Sequence, residues 1–373
     1  MKSRNSVDRT LSKPSDKELL SKLFVYSTAE SEATKPIPIA NSDKEKCWLN
    51  VILQTFLFTR PMCGFLKTWR EVFQGRISRL KDGDNFSLPL SSFRTQNMKF
   101  TVKLMNCAHL LTRLASEESE NEFDPKPFKK VLFKLKPSFK HKYQDASEGL
   151  NEILKLFQDE LLKSHQLLSL EGVTVNAIPL EEGFTVVTQH VTRDYLNGTK
   201  QDTRKQDWEN PLIRLSVPNN IENQTSVSEL MANKFKFRYE IKLGDERKRV
   251  ETEKIKKLPD CLIIELNKDV AGAKSARGNK GEVLVDPTFT VDPDWCVKPN
   301  AMDDNALSKT EYALRHFICY IDEHYYAVTR RGGGNYESTW WKTSDHIIDE
   351  IDEEDVLTRG HCKKATILFY EKL

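Results

Sequence analysis

Three absences narrow what this chain can be. No stretch of its 373 residues approaches the roughly 20 consecutive apolar residues of a membrane-spanning helix, so no membrane span is expected. The start, MKSRNSVDRTLSKPSDKELL, lacks the apolar core of a secretory signal, so the expected chain is soluble. A dominant charge is missing too. Lys and Arg number 57 against 55 Asp and Glu, a formal +2, so no global field steers the molecule to DNA or an anionic membrane. The seven cysteines include no C-x-x-C pair and form an odd, irregular set. Such a set argues against a disulfide frame and for free thiols in a reducing compartment, cytoplasmic or nuclear. Nothing calls for a cofactor, and none is expected.

What is present divides into a tail and one long domain. Residues 1–35 are rich in Ser, Lys, Asp and Glu with few large apolar side chains, so they read as a disordered tail. From Pro36 to Leu373 apolar periodicity continues without a Gly/Ser linker, which predicts a single domain over 36–373. Cys47 opens a helix whose Trp48, Leu49, Val51, Ile52, Leu53, Phe56 and Leu57 are apolar on nearly every side, the mark of a buried helix. Asn41, Ser42 and Asp43 upstream are good N-cap types, which would set Cys47 near the positive end of the helix dipole, where a thiolate is favoured. A second amphipathic helix is expected from Gln144 to about Leu162. Between them, Phe128 to Lys142 mixes Lys with apolar residues. With no nucleic-acid motif beside it, this reads as a solvated amphipathic face, and no nucleic-acid partner is expected.

Past residue 172 the texture turns to short β-type runs: Thr185 to His190, Leu212 to Val217, Phe235 to Leu243 and Cys261 to Leu266. Gly272 to Gly281 reads as a flexible basic loop. HYYAVTRR, then Gly332 to Gly334, then NYESTWWKTSD predict a β-hairpin that brings His324 opposite Thr343, Ser344 and Asp345. Ala365 to Tyr370 predicts a buried final strand. A thiol, an imidazole and a polar group to orient it are what a cysteine protease needs, and Cys47, His324 and the Ser344–Asp345 pair supply them. Taken singly, each has a plainer reading: a core thiol, a structural histidine, a turn residue.

Five segments together shift that balance, because in order and content they resemble the catalytic domain of the ubiquitin-specific protease family. CWLNVILQTF at Cys47 looks like its cysteine box, and QDASEGLNEIL at Gln144 like its QDAxEF helix. LPDCLIIEL at Leu258, YALRHFICYIDEHYYAV at Tyr312 and WWKTSD at Trp340 resemble its LPxxLxIxL, histidine-box and WxxxxD segments. The resemblance covers about residue 36 to the end. It implies an α+β, papain-like cysteine protease fold: a helical thumb, a β-sheet palm, and β-fingers within about 180–258 that cradle ubiquitin or a ubiquitin-like modifier.

The implied reaction is hydrolysis of the isopeptide bond after the modifier's C-terminal glycine. Cys47 would attack, His324 would carry the proton, and Asp345 or Ser344 would orient the imidazole. Asp345 is favoured, because its charge stabilises imidazolium better than a hydroxyl does. Asp145 and Glu148, with Gln144 and Tyr325, would line the cleft for the modifier's arginine-bearing tail.

Departures from the family pattern sharpen the expectations. The family's oxyanion-stabilising Asn five residues before the nucleophile is Ser42 here, with Asn41 one further back. Asn41, Gln54 or a backbone N–H would take the role. Glu323 stands where the family has Gly before the histidine, and Ser147 and Gly149 where its helix box has bulkier residues. Thr185 to Leu266 contains only Cys261, so a structural zinc in the fingers is excluded on ligand count and no metal is expected. A catalytically inactive ubiquitin-binding scaffold on the same fold is the alternative, and a host cytosol the setting if the source is microbial.

Overall fold

The structure, a computed structural model, describes residues 35–41, 46–65, 122–140, 145–170, 179–218, 224–267, 283–298, 310–331 and 339–373. Residues 100, 101, 103, 104, 107, 108 and 111 are described as well, residues 245 and 358–359 are excepted, and backbone alone is described at 161–170 and 179–181. The expected tail (save Lys35), Ser42, Asp43, Gln144, the Gly272–Gly281 loop and the Gly332–Gly334 turn lie outside these residues.

Helix α1 (Cys47–Phe56) is buried at every position, as its all-round apolar sequence dictates. Trp48 meets the edge of Phe139 at 5.4 Å between ring centres. Helix α2 (Lys126–Leu135) turns Phe128 and Leu132 inward and leaves Lys126, Lys130 and Lys134 exposed, so the basic stretch is the outer side of an amphipathic helix. Helix α3 (Ala146–Leu170) runs further than the expected end near Leu162. It approaches α1 closely at Gly149, where an added Cβ would stand 2.5 Å from the Trp48 ring. The glycine that departs from the family pattern is what lets the two helices touch.

The palm sheet takes β3 (Ile213–Ser216), β7 (Cys261–Asn267), β10 (Glu311–Ile321), β11 (His324–Arg331), β12 (Thr339–Ser344), β13 (Ile347–Ile351) and β14 (Ala365–Lys372). Their order is β13-β12-β11-β10-β14-β7-β3, with β9 (Thr288–Thr290) also on β10, and within this sheet only the β3–β7 pair is parallel; β4 (Thr225–Ser226) and β8 (Val283–Leu284) form a separate short parallel pair. Both faces are covered, so the central strands read as continuous apolar runs. Ile367, Phe369, Ala327 and Tyr325 pack with α1 and α3, while Leu368, Tyr370, Val328 and Tyr326 pack into a second core with Leu230, Met231 and Phe235. Alternation along each strand divides the two cores. Asp322 and Glu323, both with positive φ (48° and 64°), join β10 to β11, as a two-residue hairpin turn of the I′ type demands. That turn fixes where His324 starts.

The fingers sheet has the order β2-β1-β6-β5, from β1 (Val186–Leu196), β2 (Thr199–Asn210), β5 (Tyr239–Lys242) and β6 (Arg247–Lys257), all antiparallel. It falls inside the stretch expected for the fingers. Cys261, the one cysteine between Thr185 and Leu266, lies buried in palm strand β7.

The expected strand from Phe235 to Leu243 needs correction. Phe235 and Lys236 close a helix, Val227–Lys236, held at its start by a capping box in which Ser226 and Glu229 bond each other's backbone N–H. Only Tyr239 to Lys242 is strand.

Candidate active site

Cys47 is the first residue of α1, and the N-cap position is Lys46, with no side-chain cap. The expected cap does not form at Asn41. Its Oδ1 instead accepts from the Lys46 N–H at 3.2 Å, bracing the turn just before the nucleophile candidate. The thiol is 7% exposed. Burial pushes its pKa above the usual thiol value, hydrogen bonding from the Tyr325 backbone pulls the other way, and the Asp345 charge adds to the rise. Cys47 therefore rests as a thiol. The helix terminus does not overcome burial here.

The Tyr325 backbone at Cys47 sets the sulfur one residue from His324 along β11. His324 Nε2 lies 2.8 Å from Ser344 Oγ. With Nε2 engaged there, Nδ1 is the ring nitrogen left for a second partner. The sequence favours Asp345 for the contact that Ser344 makes. The strand register explains the exchange: Ala327 pairs with Thr343, so Ser344 shares the face of Tyr326 and His324, while Asp345 falls one step on.

Asp345 has its own site. Its φ of +53° turns the chain just after β12, and its main-chain oxygen accepts from Ile39 N–H at 3.1 Å. One carboxylate oxygen accepts from Asn41 Nδ2 at 2.9 Å and the other from Asn50 Nδ2 at 2.8 Å. Asn50 is buried in α1. One residue thus ties the 35–41 segment, α1 and the β12–β13 turn together. Asn50 was not singled out as a site residue from sequence, although it is the Asn of the CWLN motif. A buried Asn one turn after the nucleophile candidate was the available signal.

Asn41, the candidate oxyanion donor, therefore has its amide on Asp345. Gln54 is engaged elsewhere: its Nε2 donates to the Ile37 carbonyl, and its Oε1 accepts from Arg331 Nη2 at 2.9 Å. Arg331 is itself buried, its guanidinium 3.5 Å from the Phe58 ring centre, and burial lowers its pKa to about 9. Gln54 also lies seven residues along α1, roughly 10 Å from Cys47 at 1.5 Å per residue.

At the start of α3, Asp145 caps the helix. Its Oδ1 accepts from the N–H groups of Ser147 at 2.8 Å and Glu148 at 3.0 Å, and from the Ser147 hydroxyl. The Tyr325 hydroxyl donates to Asp145 Oδ2 at 3.3 Å and accepts from Ala146 N–H at 3.3 Å. Glu148 is exposed one turn into α3. Cys47, His324, Ser344, Asp345, Asn41, Asp145 and Tyr325 are thus joined through β11 and its neighbours. Among the described residues no group of three His, Cys, Asp or Glu side chains is arranged to hold a metal ion.

Comparison with known proteins agrees with this frame. No curated protein matches the sequence. The solved structures that match include the Ubp8–Sgf11–Sgf73–Sus1 SAGA DUB module (TM-score 0.59, 15% identity, 93% of this chain and 68% of that one). The SAGA Ubp8/Sgf11/Sus1/Sgf73 DUB module bound to ubiquitin aldehyde also matches (TM-score 0.61, 15% identity, 93% and 71%). So does a yeast SAGA DUB module with a substituted Sgf73 (TM-score 0.62, 14% identity, 93% and 70%). These likenesses show an α+β, papain-like fold. The family model for ubiquitin carboxyl-terminal hydrolases matches residues 40–370, nearly the whole chain, so this protein belongs to the ubiquitin carboxyl-terminal hydrolase family.

Proposed function

We propose that this chain is a thiol-dependent deubiquitinase that hydrolyses the isopeptide bond after the C-terminal glycine of ubiquitin or a related modifier. The observation that carries this reading is the 2.8 Å bond between His324 and Ser344, on the strand whose next residue hydrogen-bonds Cys47. Ser344 fixes the ring, so Nδ1 takes the Cys47 proton as sulfur attacks the carbonyl and returns it to the departing lysine amine. The same nitrogen then takes a proton from water as water attacks the Cys47 thioester, and gives it back to the departing sulfur, freeing the modifier's carboxylate and the thiol.

The oxyanion is met by backbone N–H groups of Cys47 and Trp48, which lie in the first turn of α1, where N–H groups have no helical partner. Asp145 and Glu148 present carboxylates to an arginine-bearing tail, and Tyr325 holds Asp145 in place; Gln144, expected beside them, lies outside the described residues. The ubiquitin aldehyde in a structurally similar module supports ubiquitin as the first modifier to try.

A ubiquitin probe with a C-terminal electrophile is expected to label Cys47 and to leave Cys47→Ala unlabelled. Ser344→Ala is expected to keep labelling but slow turnover on the order of tenfold, below the effect of losing a general base. Absence of labelling of the wild-type protein by ubiquitin and related probes would sink the activity reading.

A second reading has a specific observation in its favour. The Asn41 amide is held by Asp345, and the same charge helps keep Cys47 protonated, as in a silent ubiquitin-binding scaffold. Saturable ubiquitin binding with no chain cleavage would select it.

A further inference from the structure

Among the described residues strand β5 is an edge of the fingers sheet, and its sequence differs in kind from the other edge. Along β2 the residues Lys200, Asp202, Arg204, Lys205, Asp207 and Glu209 carry charge, the usual protection of an unpaired strand. Around β5 the alternate residues Phe237, Tyr239, Ile241 and Leu243 are apolar and 58%, 61%, 42% and 49% exposed. Period-two spacing sets them on one face.

The backbone direction follows from one bond. Leu243 N–H donates to the Arg247 carbonyl at 2.9 Å, so the odd-numbered residues of β5 point their backbone groups at β6. Glu240 and Lys242 point theirs outward. Lys242 also lies opposite Lys248 on β6, a like-charge pair across the ladder. Lys248 has Glu240 at 3.6 Å.

We propose that β5 pairs antiparallel with β5 of a second copy of this chain, about a two-fold axis at Ile241. In that register each Glu240 stands opposite Lys242 of the second copy, and these are the residues whose backbone groups point outward to bond. Tyr239 faces Leu243 and Ile241 faces itself, so the exposed apolar face continues across the junction. Sliding by one hydrogen-bonding step in either direction sets Glu240 against Glu240 or Lys242 against Lys242. The strand is thus charge-complementary to itself in the register centred on its own middle, which fits an isologous interface. It also brings a carboxylate to the Lys242–Lys248 pair.

Sedimentation equilibrium and light scattering on the full 373-residue chain test this directly. The wild type is expected to show a concentration-dependent dimer, with the Glu240 and Lys242 amides gaining protection from hydrogen exchange as it forms. Glu240→Lys and Lys242→Glu should each weaken dimerisation about tenfold or more, because each places like charges opposite twice. The double variant Glu240→Lys/Lys242→Glu should restore it to within about threefold of wild type. These side chains are exposed, so thermal melts of the monomer serve as the folding control. A chain that stays monomeric at all concentrations overturns the proposal. So does a dimer that either single reversal leaves unchanged, or one that the double swap fails to restore.

Discussion

The palm and the fingers are both largely antiparallel sheets, yet they are held together by different physics. In the palm, β10, β11 and β14 are covered on both faces, and Phe317, Ile318, Leu368 and Phe369 have no exposed surface. Each such side chain contributes roughly 1.5–3 kcal/mol by leaving water. The fingers have little of that. β2 is exposed along most of its length, and the sheet carries surface ion pairs instead: Arg249 on β6 to Asp194 on β1, Arg204 to Asp202 within β2, and Lys256 on β6 to Asp207 on β2. Those guanidinium and ammonium partners hold the Asp194, Asp202 and Asp207 carboxyls below the usual range, but exposed pairs of this sort add little to stability. The palm seats the candidate catalytic side chains on a fully buried floor, while β2 of the fingers has no such core beneath it.

Removing packing should separate the two most sharply. Phe369→Ala in the palm is expected to cost about 3–5 kcal/mol in a denaturant melt, since the ring is fully buried between strands and α1. Gly149→Ala, which drives a methyl group into Trp48, should cost about 1–3 kcal/mol by overpacking. An unchanged midpoint for either would mean that the helix–palm core is looser than described.

Acid should weaken the palm before the fingers. Buried His316 has its pKa lowered from 6.5 to about 3 by desolvation and nearby arginines, so the unfolded chain binds a proton that the folded one refuses. Its stabilising contribution is complete above pH 6.5 and is lost as pH falls toward 3, by up to about 1.4 kcal/mol per pH unit. His316→Gln should flatten that slope, as measured by melts at pH 4 to 7. The smallest effect belongs to the fingers: Arg249→Gln should shift the melt little at low salt and not at all at high salt. Hydrogen exchange should still find β2 opening far more often than β14.

The same contrast decides what the sequence could reveal. α1, β7 and β14 are legible because burial on all sides leaves an unbroken apolar run, and the segment that resembles the cysteine box lies on α1. β2, TKQDTRKQDWEN, offers no apolar alternation, since both its faces meet water over most of its length, so no local pattern marked it as a strand. The helix over Phe235 and Lys236 was masked by their apolar and aromatic neighbours, although Ser226 and Glu229 had the spacing of a capping box. In the candidate site, the strand pairing that carries His324 and Ser344 was readable from the β-type runs flanking the glycines, whereas Cys47 and His324 stood out as site candidates only through the resemblance to the family's boxes. The division of labour between Ser344 and Asp345 was not, because it depends on strand register and on Asn41 and Asn50, which lie some 300 residues away in sequence.

The positive-φ turn at Asp345 also sets a population. A hydrogen bond to a charged carboxylate contributes roughly 1.5–3 kcal/mol, so the Asn41 amide stands free of Asp345 in only about one molecule in ten to one in a hundred. The amide nitrogen carries a second N–H, so the bond to Asp345 aims that remaining hydrogen, and any step that uses it inherits an orientation set from the palm.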